Sequence, residues 1–308
     1  MIELKNIKLN ISNIDILNDV SFNILDNSVT CILGNKKSGK SSIFKILTGV
    51  YKNYYGEVIC DGQDINDLKK CKIDILHETR EKDADITVNE YLKFYASIYN
   101  VANEEEIDQY IENMLRKYSL ISYKYTSINV LDNENYKLLE LIRISINDPD
   151  VILFDNLFSS DNADFNERLL EYIKKLVNHK TLVFASRSLN YIEEIATHLV
   201  ILETGSLVAY GKKEEVYKRA ELSNKIEIEV LDKIQEAVDI LKTNENIANI
   251  TYTDKIISFS IVSNITYSEE RNRVEANILK ELVDKGIDVY SFKKQRVRFE
   301  QLFGRLGV

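Results

Sequence analysis

The residues best suited to chemistry form a glycine-rich stretch between Gly34 and Ser41. Its pattern, Gly-x4-Gly-Lys-Ser, lets successive backbone N–H groups point inward at phosphate oxygens. Lys40 would supply a positive charge to the β- and γ-phosphates, and the hydroxyl of Ser41 would bind Mg²⁺. The stretch therefore predicts a site for nucleotide phosphates. The residues expected to hold the nucleotide are Gly34, Asn35, Lys36, Lys37, Ser38, Gly39, Lys40, Ser41 and Ser42.

A carboxylate at the end of a buried strand is the second chemical feature. The apolar run 151–154 is followed by Asp155. A strand of this kind places its last side chain at the carboxyl edge of the sheet, beside the phosphate loop, where Asp155 would hold Mg²⁺ with Ser41. Many buried strands end in Asp, so this feature alone is a weak indication of a metal site. Together with the phosphate loop upstream of it, the indication is strong.

The elements around the loop must form a strand, a loop and a helix in that order. A β-branched apolar run, 29–33, precedes the loop. After the loop, Ile43, Phe44, Ile46 and Leu47 share one helical face. This context argues against a chance glycine-rich turn. Strands and helices alternate further along the chain, which indicates an α/β fold with a largely parallel sheet.

Periodicity predicts the other elements of this first domain. We predict strands over 2–9, 16–24, 29–33, 151–154 and 181–185, and a hairpin over 198–210. We predict helices that open at Val88 and that span 106–118, 136–147, about 164–178 and about 189–196.

From about Asn224 the pattern of strands and helices restarts. We predict strands over 226–231, 247–252, 255–261 and 287–292, and helices over 233–243 and 268–285. The resulting order, βαββαβ, is ferredoxin-like and of the α+β class. The expected organisation is a first domain over 1–215 with a helical subdomain over about 88–148, a helical connector over 212–223, and an accessory domain over 216–308.

The bulk composition restricts the classes of function. The chain has 308 residues, a formal net charge of −9 and a pI near 5.1. This acidic balance argues against a nucleic-acid partner, which would favour a basic face. No apolar run approaches the roughly 18 residues of a membrane span, and the N-terminus lacks the apolar core of a signal peptide. The three cysteines lack metal-binding spacing. We therefore expect a cytoplasmic protein.

The order of these motifs resembles the ABC ATPase family over residues 2–215. Asp19-Val20-Ser21-Phe22 corresponds to the family's strand before the phosphate loop, and residues 34–41 correspond to its Walker A loop. Residues 131–135, with Arg143 and Asp148-Pro149, correspond to the signature block. Asp155 corresponds to the end of the Walker B strand, and residues 200–211 correspond to the final hairpin. The resemblance implies a P-loop NTPase of ABC ATPase type, with a RecA-like core, an antiparallel β subdomain and a helical subdomain.

The second domain resembles the small domain of subunits that serve ABC-2-type permeases, which export drugs, antibiotics and polysaccharides. Its closing segment, Arg298-Phe299-Glu300-Gln301-Leu302-Phe303, is similar to the last helix of those subunits. The resemblance implies ATP and Mg²⁺ as cofactors. It also implies an ABC-2-type permease and a second ABC ATPase subunit, in a homo- or heterodimer, as partners. The chain would then lie peripherally on the inner face of the cell membrane.

Three catalytic positions depart from the family pattern. The glutamate that follows the Walker B aspartate and polarises the attacking water corresponds to Asn156. The histidine that contacts the γ-phosphate corresponds to Arg187, and the Q-loop glutamine, which contacts Mg²⁺ and water, corresponds to Glu78. Because Asn156 and Arg187 occupy these two catalytic positions, we expect the chain to hydrolyse ATP slowly. We expect Glu78 to bind Mg²⁺ together with Ser41 and Asp155.

The signature is the most altered motif. In the family, its serine and two glycines let backbone N–H groups approach the γ-phosphate bound on the opposite subunit. Asp132 and Glu134 bring carboxylates to that place, and like charges within about 4–6 Å oppose binding. Either the signature helix stands back from the nucleotide or a cation intervenes. The expected interface residues are Leu131, Asp132, Asn133, Glu134 and Asn135.

Two hypotheses follow for the role of the chain. In the first, it is a transport ATPase that drives export through a separate permease, although its own hydrolysis is impaired. In the second, it is a catalytically inactive nucleotide-binding protein that regulates or supports an ABC complex. A protein acting on ribosomes or DNA is disfavoured, because such proteins carry two cassettes and this chain has one phosphate loop.

Overall fold

The computed structural model describes residues 1–67, 72–78, 85–101, 103, 106–177, 179–219, 225–261 and 268–294. The chain divides into two compact units, Met1–Gly211 and Lys212–Val308. In the described residues, no helix is long and apolar enough to cross a membrane. Each unit is described below by itself.

Two sheets form the framework of the first unit. Its strands are β1 (Ile2–Ile11), β2 (Ile14–Ile24), β3 (Val29–Gly34), β4 (Tyr55–Cys60), β5 (Gln63–Asp64), β6 (Ile73–Leu76), β7 (Val151–Asp155), β8 (Thr181–Ser186), β9 (His198–Glu203) and β10 (Ser206–Lys212). One sheet has the order β10-β9-β3-β8-β7-β6, in which β3 pairs in parallel with β8 and β9, and β7 pairs in parallel with β6 and β8. The other has the order β2-β1-β4-β5 with antiparallel pairs.

The central strands of the larger sheet are buried on both faces. Every residue of β3 and β8 is buried, and so are the first four residues of β7. These runs are rich in Val, Ile, Leu and Phe, as expected for a parallel sheet that is covered on both sides. Because parallel strands end at the same edge, the residues after β3, β7 and β8 are brought close together. The predicted α/β core and the antiparallel β subdomain are both confirmed.

The helices of the first unit are α1 (Lys40–Leu47), α2 (Val88–Ile98), α3 (Ile107–Lys117), α4 (Asn133–Asn147) and α5 (Ala163–Lys174). The start of α4 differs from the predicted start at Tyr136. The reason is that the side chain of Asp132 accepts a hydrogen bond from the backbone N–H of Asn135 at 2.8 Å and so acts as an N-cap. Of the signature residues, Asp132 is therefore the N-cap of this helix, and residues 133–135 lie in its first turn.

The helix predicted near 189–196 is wrong. This segment consists of turns, although Leu189 and Ile192 are buried as an amphipathic pattern requires. Tyr191 has a φ of 63°, in the left-handed region, which interrupts the dihedral angles of a right-handed helix. The helix predicted near 164–178 also ends early, at Lys174, and continues as a turn.

The second unit begins with α6 (Lys213–Arg219) and contains one antiparallel sheet. Its elements are β11 (Lys225–Val230), α7 (Ile234–Lys242), β12 (Ile247–Tyr252), β13 (Ile256–Ile261), α8 (Ser268–Asp284) and β14 (Val289–Lys294). The strand order is β12-β13-β11-β14. Buried residues of β11 and β13, such as Ile228 and Phe259, share a core with Val238 of α7 and Leu282 of α8. The predicted ferredoxin-like order βαββαβ is confirmed, whereas the helix predicted near 299–303 lies outside the described residues.

Candidate functional site

The phosphate-loop residues connect β3 to α1 in a conformation that only glycine accommodates at two positions. Gly39 has a φ of 97°, in the left-handed region, and a Cβ there would lie 2.5 Å from the Cδ2 atom of Leu17. At Gly34, a Cβ would lie 2.6 Å from the backbone oxygen of Leu202 and would also overlap Ser38. The loop therefore depends on both glycines of the sequence pattern.

The ammonium group of Lys40 lies inside the curl of this loop. Its Nζ atom donates hydrogen bonds to the backbone oxygens of Gly34 at 2.7 Å and Asn35 at 2.9 Å, and to Oγ of Ser38 at 3.1 Å. Burial lowers the pKa of Lys40 to about 8, although the carboxylate of Asp155 opposes the shift. A phosphate anion beside Nζ would favour the charged form and so would be attracted to this place.

Ser41 and Asp155 meet beside the loop and supply the oxygen ligands that Mg²⁺ prefers. The Ser41 hydroxyl lies close enough to the Asp155 carboxylate to interact with it. Burial raises the pKa of Asp155, and the interaction with Ser41 opposes that shift. The described residues contain no group of three or more His, Cys, Asp and Glu side chains that could enclose a metal. The pair instead fits Mg²⁺ shared with nucleotide phosphates, since this ion usually binds one or two carboxylates plus phosphate oxygens.

Glu78, Asn156 and Arg187 form a cluster at the same edge of the sheet. The Nδ2 atom of Asn156 donates a hydrogen bond to Oε1 of Glu78 at 2.5 Å. Nη2 of Arg187 lies 3.7 Å from the same oxygen, and both charged side chains are partly exposed, at 55% for Arg187 and 38% for Glu78. Asn156 and Arg187 thus both contact Glu78, the third of these altered catalytic positions.

The two signature carboxylates make contacts within the chain. Asp132 caps α4, and its Oδ2 atom also accepts a hydrogen bond from Nδ2 of Asn135 at 3.1 Å. Glu134 accepts hydrogen bonds from Oγ of Ser160 at 2.6 Å and Nδ2 of Asn162 at 3.3 Å. Leu131 is buried and Asn133 is exposed. The carboxylate of Glu134 is therefore held toward the loop after β7.

A polar cavity of about 840 Å³ connects the signature with Glu78. Its wall includes Lys137, which sequence reasoning missed. The Nζ atom of Lys137 donates hydrogen bonds to the backbone oxygen of Leu157 at 2.7 Å and to Oγ of Ser159 at 2.8 Å. Burial lowers the pKa of Lys137, and the charges of Glu78 and Glu134 oppose the shift. Lys137 could have been identified from the sequence, because it lies four residues before Leu141 and so shares the buried face of α4.

Comparison with known proteins agrees with this arrangement. The ABC transporter family profile matches residues 17–159. An uncharacterized ABC transporter ATP-binding protein of Methanocaldococcus jannaschii is 29% identical over 220 residues, which cover 71% of this chain and 80% of that protein. A spermidine/putrescine import ATP-binding protein of Clostridium novyi is 24% identical over 221 residues, which cover 70% of this chain but 63% of that protein.

The fold also matches a solved structure. An ATP-binding subunit of an ABC transporter superposes with a TM-score of 0.65 at 18% identity, over 72% of this chain and 94% of that chain. The family profile falls on the part of the chain that contains the phosphate loop and the Ser41–Asp155 pair. Residues 17–159 therefore form an ABC transporter ATP-binding domain, and the chain is similar to ABC transporter ATP-binding proteins.

Proposed function

We propose that this chain is the ATP-binding subunit of an ABC-2-type transporter and couples ATP to export through a separate permease. The observation that carries the proposal is the arrangement of Lys40 inside the phosphate loop, with the Ser41 hydroxyl beside the Asp155 carboxylate. Lys40 would bind the β- and γ-phosphates, and the oxygens of Ser41 and Asp155 would hold Mg²⁺. When bound, Mg²⁺ supplies positive charge that neutralises the phosphates.

The export class is supported by the second unit. The βαββαβ order and its antiparallel sheet resemble the small domain of subunits that serve ABC-2-type permeases. The relative from Clostridium novyi is named as an import protein, so the first unit alone does not favour export. We expect the tagged chain, expressed in its own host, to fractionate with membranes together with one identified multi-spanning permease. Recovery free of any membrane protein would contradict this assignment.

Hydrolysis by this chain is proposed to be slow, because the residue after Asp155 is an amide rather than a carboxylate. Loss of a general base commonly lowers a rate by about 10²–10⁴-fold. We expect the purified protein to release phosphate from Mg-ATP well below about 1 s⁻¹, the low end of ordinary enzymes. The Lys40→Ala variant gives the background rate of phosphate release. A wild-type rate near or above that value, lost in Lys40→Ala, would contradict the proposal of impaired hydrolysis.

The signature carboxylates are proposed to weaken ATP-dependent dimerisation with a second ABC subunit. Asp132→Asn with Glu134→Gln removes two negative charges and keeps the N-cap, since asparagine caps helices as well as aspartate does. Because anions are favoured at helix N-termini when no carboxylate competes, we expect this variant to dimerise at least about tenfold more tightly in Mg-ATP, a change of about 1.4 kcal/mol.

Sedimentation with and without Mg-ATP measures this effect. The matched control, Glu236→Gln with Asp239→Asn, removes the same two charges from exposed positions on α7. It should dimerise like the wild type. If the wild type already forms a tight ATP-dependent dimer and the signature variant is no tighter, these charges do not oppose the partner.

The second candidate function is a nucleotide-binding subunit that regulates or supports an ABC complex without hydrolysing ATP. The contacts of Glu134 with Ser160 and Asn162 favour this candidate, because they bond a signature side chain to its own subunit rather than to the nucleotide of a partner. Phosphate release equal to the Lys40→Ala background, in a protein that binds Mg-ATP, would select this candidate.

A further inference from the structure

Two carboxylates act on the ammonium group at the centre of the phosphate loop. Burial lowers the pKa of Lys40, and the negative charges of Asp155 and Glu78 both oppose the shift. Asp155 is partly buried and lies beside Ser41, the residue with which it would hold Mg²⁺. Glu78 is the more exposed of the two and lines the cavity of about 840 Å³, where water has access.

The side chain of Glu78 is held in a defined orientation. Asn156 donates to Oε1 at 2.5 Å, and Arg187 lies 3.7 Å from the same atom. Asn156 is itself fixed, because its backbone N–H donates to the oxygen of Ala185 at 2.8 Å and its φ is 49°. The hydrogen bond from Asn156 and the ion pair with Arg187 are both made to Oε1. A carboxylate oriented in this way can accept a hydrogen bond from water through its second oxygen.

At positions 78 and 156, the carboxylate and the amide are exchanged relative to the family pattern. In the family pattern, position 78 carries an amide and position 156 carries a carboxylate. In this chain, position 78 carries the carboxylate and position 156 the amide. The two side chains are bonded to each other, so one carboxylate and one amide still meet at the edge of the sheet. The exchange preserves both the charge and the hydrogen-bonding inventory of the pair.

We propose that Glu78 is the catalytic carboxylate of this chain and accepts the proton of the attacking water during slow ATP hydrolysis. The inference rests on the proposed function, because ATP must first bind at Lys40, Ser41 and Asp155. The water oxygen forms a bond to the γ-phosphorus as the bond from that phosphorus to the β–γ bridging oxygen breaks. The water proton passes to Glu78 and then to solvent, which leaves ADP and phosphate. Asn156 and Arg187 act as positioning residues for the Glu78 carboxylate.

The test compares hydrolysis with nucleotide binding in the same variants. Glu78→Gln should lower the single-turnover rate, measured with protein in excess over labelled Mg-ATP, by about 10²-fold or more. Its Kd for a non-hydrolysable Mg-ATP analogue, measured by calorimetry, should stay within about threefold of wild type, because Lys40, Ser41 and Asp155 are unchanged. Glu78→Gln with Asn156→Glu returns the carboxylate to the position beside Asp155 and should restore the rate to at least the wild-type value.

Asp161→Asn is the matched control, because it removes a carboxylate from the wall of the same cavity and should leave the rate unchanged. The proposal is overturned if Glu78→Gln hydrolyses ATP at the wild-type rate, or if the wild type does not exceed the Lys40→Ala background. It is also overturned if Glu78→Gln loses Mg²⁺-dependent binding, since Glu78 would then be a metal ligand. Failure of the wild type to bind the analogue at all would instead refute the proposed function.

Discussion

Replacement of Arg143 by methionine is expected to lower the unfolding free energy of the first unit by about 3–5 kcal/mol. Arg143 lies on α4, and its side chain is 9% exposed. Its Nη1 atom donates hydrogen bonds to both oxygens of Asp74 on β6, at 2.9 and 2.8 Å, and its Nε atom donates to Glu140 at 2.9 Å. Methionine fills much of the same space but leaves two carboxylates without their cation.

The energetic cost arises from those carboxylates rather than from the lost bonds alone. The side chains of Asp74 and Glu140 are 10% and 12% exposed, so water cannot replace the guanidinium group. Burial disfavours the charge of Arg143, but the attraction of Glu140 and Asp74 raises its pKa above the ordinary value. Removing one member of such a group leaves buried charge uncompensated.

Thermal unfolding of the full chain measures this prediction. A loss of about 3–5 kcal/mol should lower the Tm of the first unit by roughly 6–20 °C, at about 2–4 °C per kcal/mol. Arg143→Met combined with Asp74→Asn and Glu140→Gln should recover part of the loss, because no buried charge remains. Lys174→Ala, which removes exposed ion pairs with Glu171 and Glu194, is the surface control and should cost less than about 1 kcal/mol. An Arg143→Met protein as stable as Lys174→Ala would contradict this account.

This network links the helix α4 to the strand that leads to the cluster of Glu78, Asn156 and Arg187. Asp74 lies on β6, and β6 ends at Leu76, two residues before Glu78. Arg143 also donates to the backbone oxygen of Ile75 at 3.0 Å. The position of Glu78 therefore depends on the packing of α4 against β6. We expect weakened packing to disturb the cluster as well as the stability.

The sequence predicted most of the framework because its elements follow local rules. The strands β3, β7 and β8 are continuous apolar runs, and the order of elements in the second unit follows from alternating periodicity. The phosphate loop and Asp155 were assigned from spacing, since a strand, a loop and a helix leave little freedom in their geometry. The prediction of a helix near 189–196 was wrong because hydrophobic periodicity does not indicate that Tyr191 has a left-handed conformation.

The contacts that determine the chemistry were not predictable from spacing. Glu78 and Asn156 are 78 residues apart, and each was assigned a separate role from its motif. Glu134 accepts hydrogen bonds from Ser160 and Asn162, which lie 26 and 28 residues away along the chain. Such pairs depend on side-chain rotamers at the meeting of two loops, and periodicity carries no information about them.

The Lys40→Ala variant is expected to lose most of its affinity for Mg-ATP. Nζ lies at the centre of the loop and donates three hydrogen bonds to loop oxygens. Hydrogen bonds to charged groups contribute about 1.5–3 kcal/mol each, so loss of the lysine contact to phosphate should weaken binding by at least about tenfold. The wild-type affinity should itself be modest. The resemblance to ABC ATPases places an adenine-stacking aromatic residue near Ile11, but no aromatic residue lies between Met1 and Phe22, and stacking typically contributes about 1–3 kcal/mol.

Calorimetric titration of the full chain with Mg-ATP tests the central claim most directly, with Lys45→Ala as the matched control. Lys45 lies on the same helix, α1, with its ammonium group 5.2 Å from the ring centre of Tyr51. The account predicts binding below millimolar nucleotide that weakens when Mg²⁺ is chelated, is weakened at least about tenfold by Lys40→Ala, and is unchanged by Lys45→Ala. Absence of binding at millimolar Mg-ATP, or equal affinity in wild type and Lys40→Ala, would contradict it.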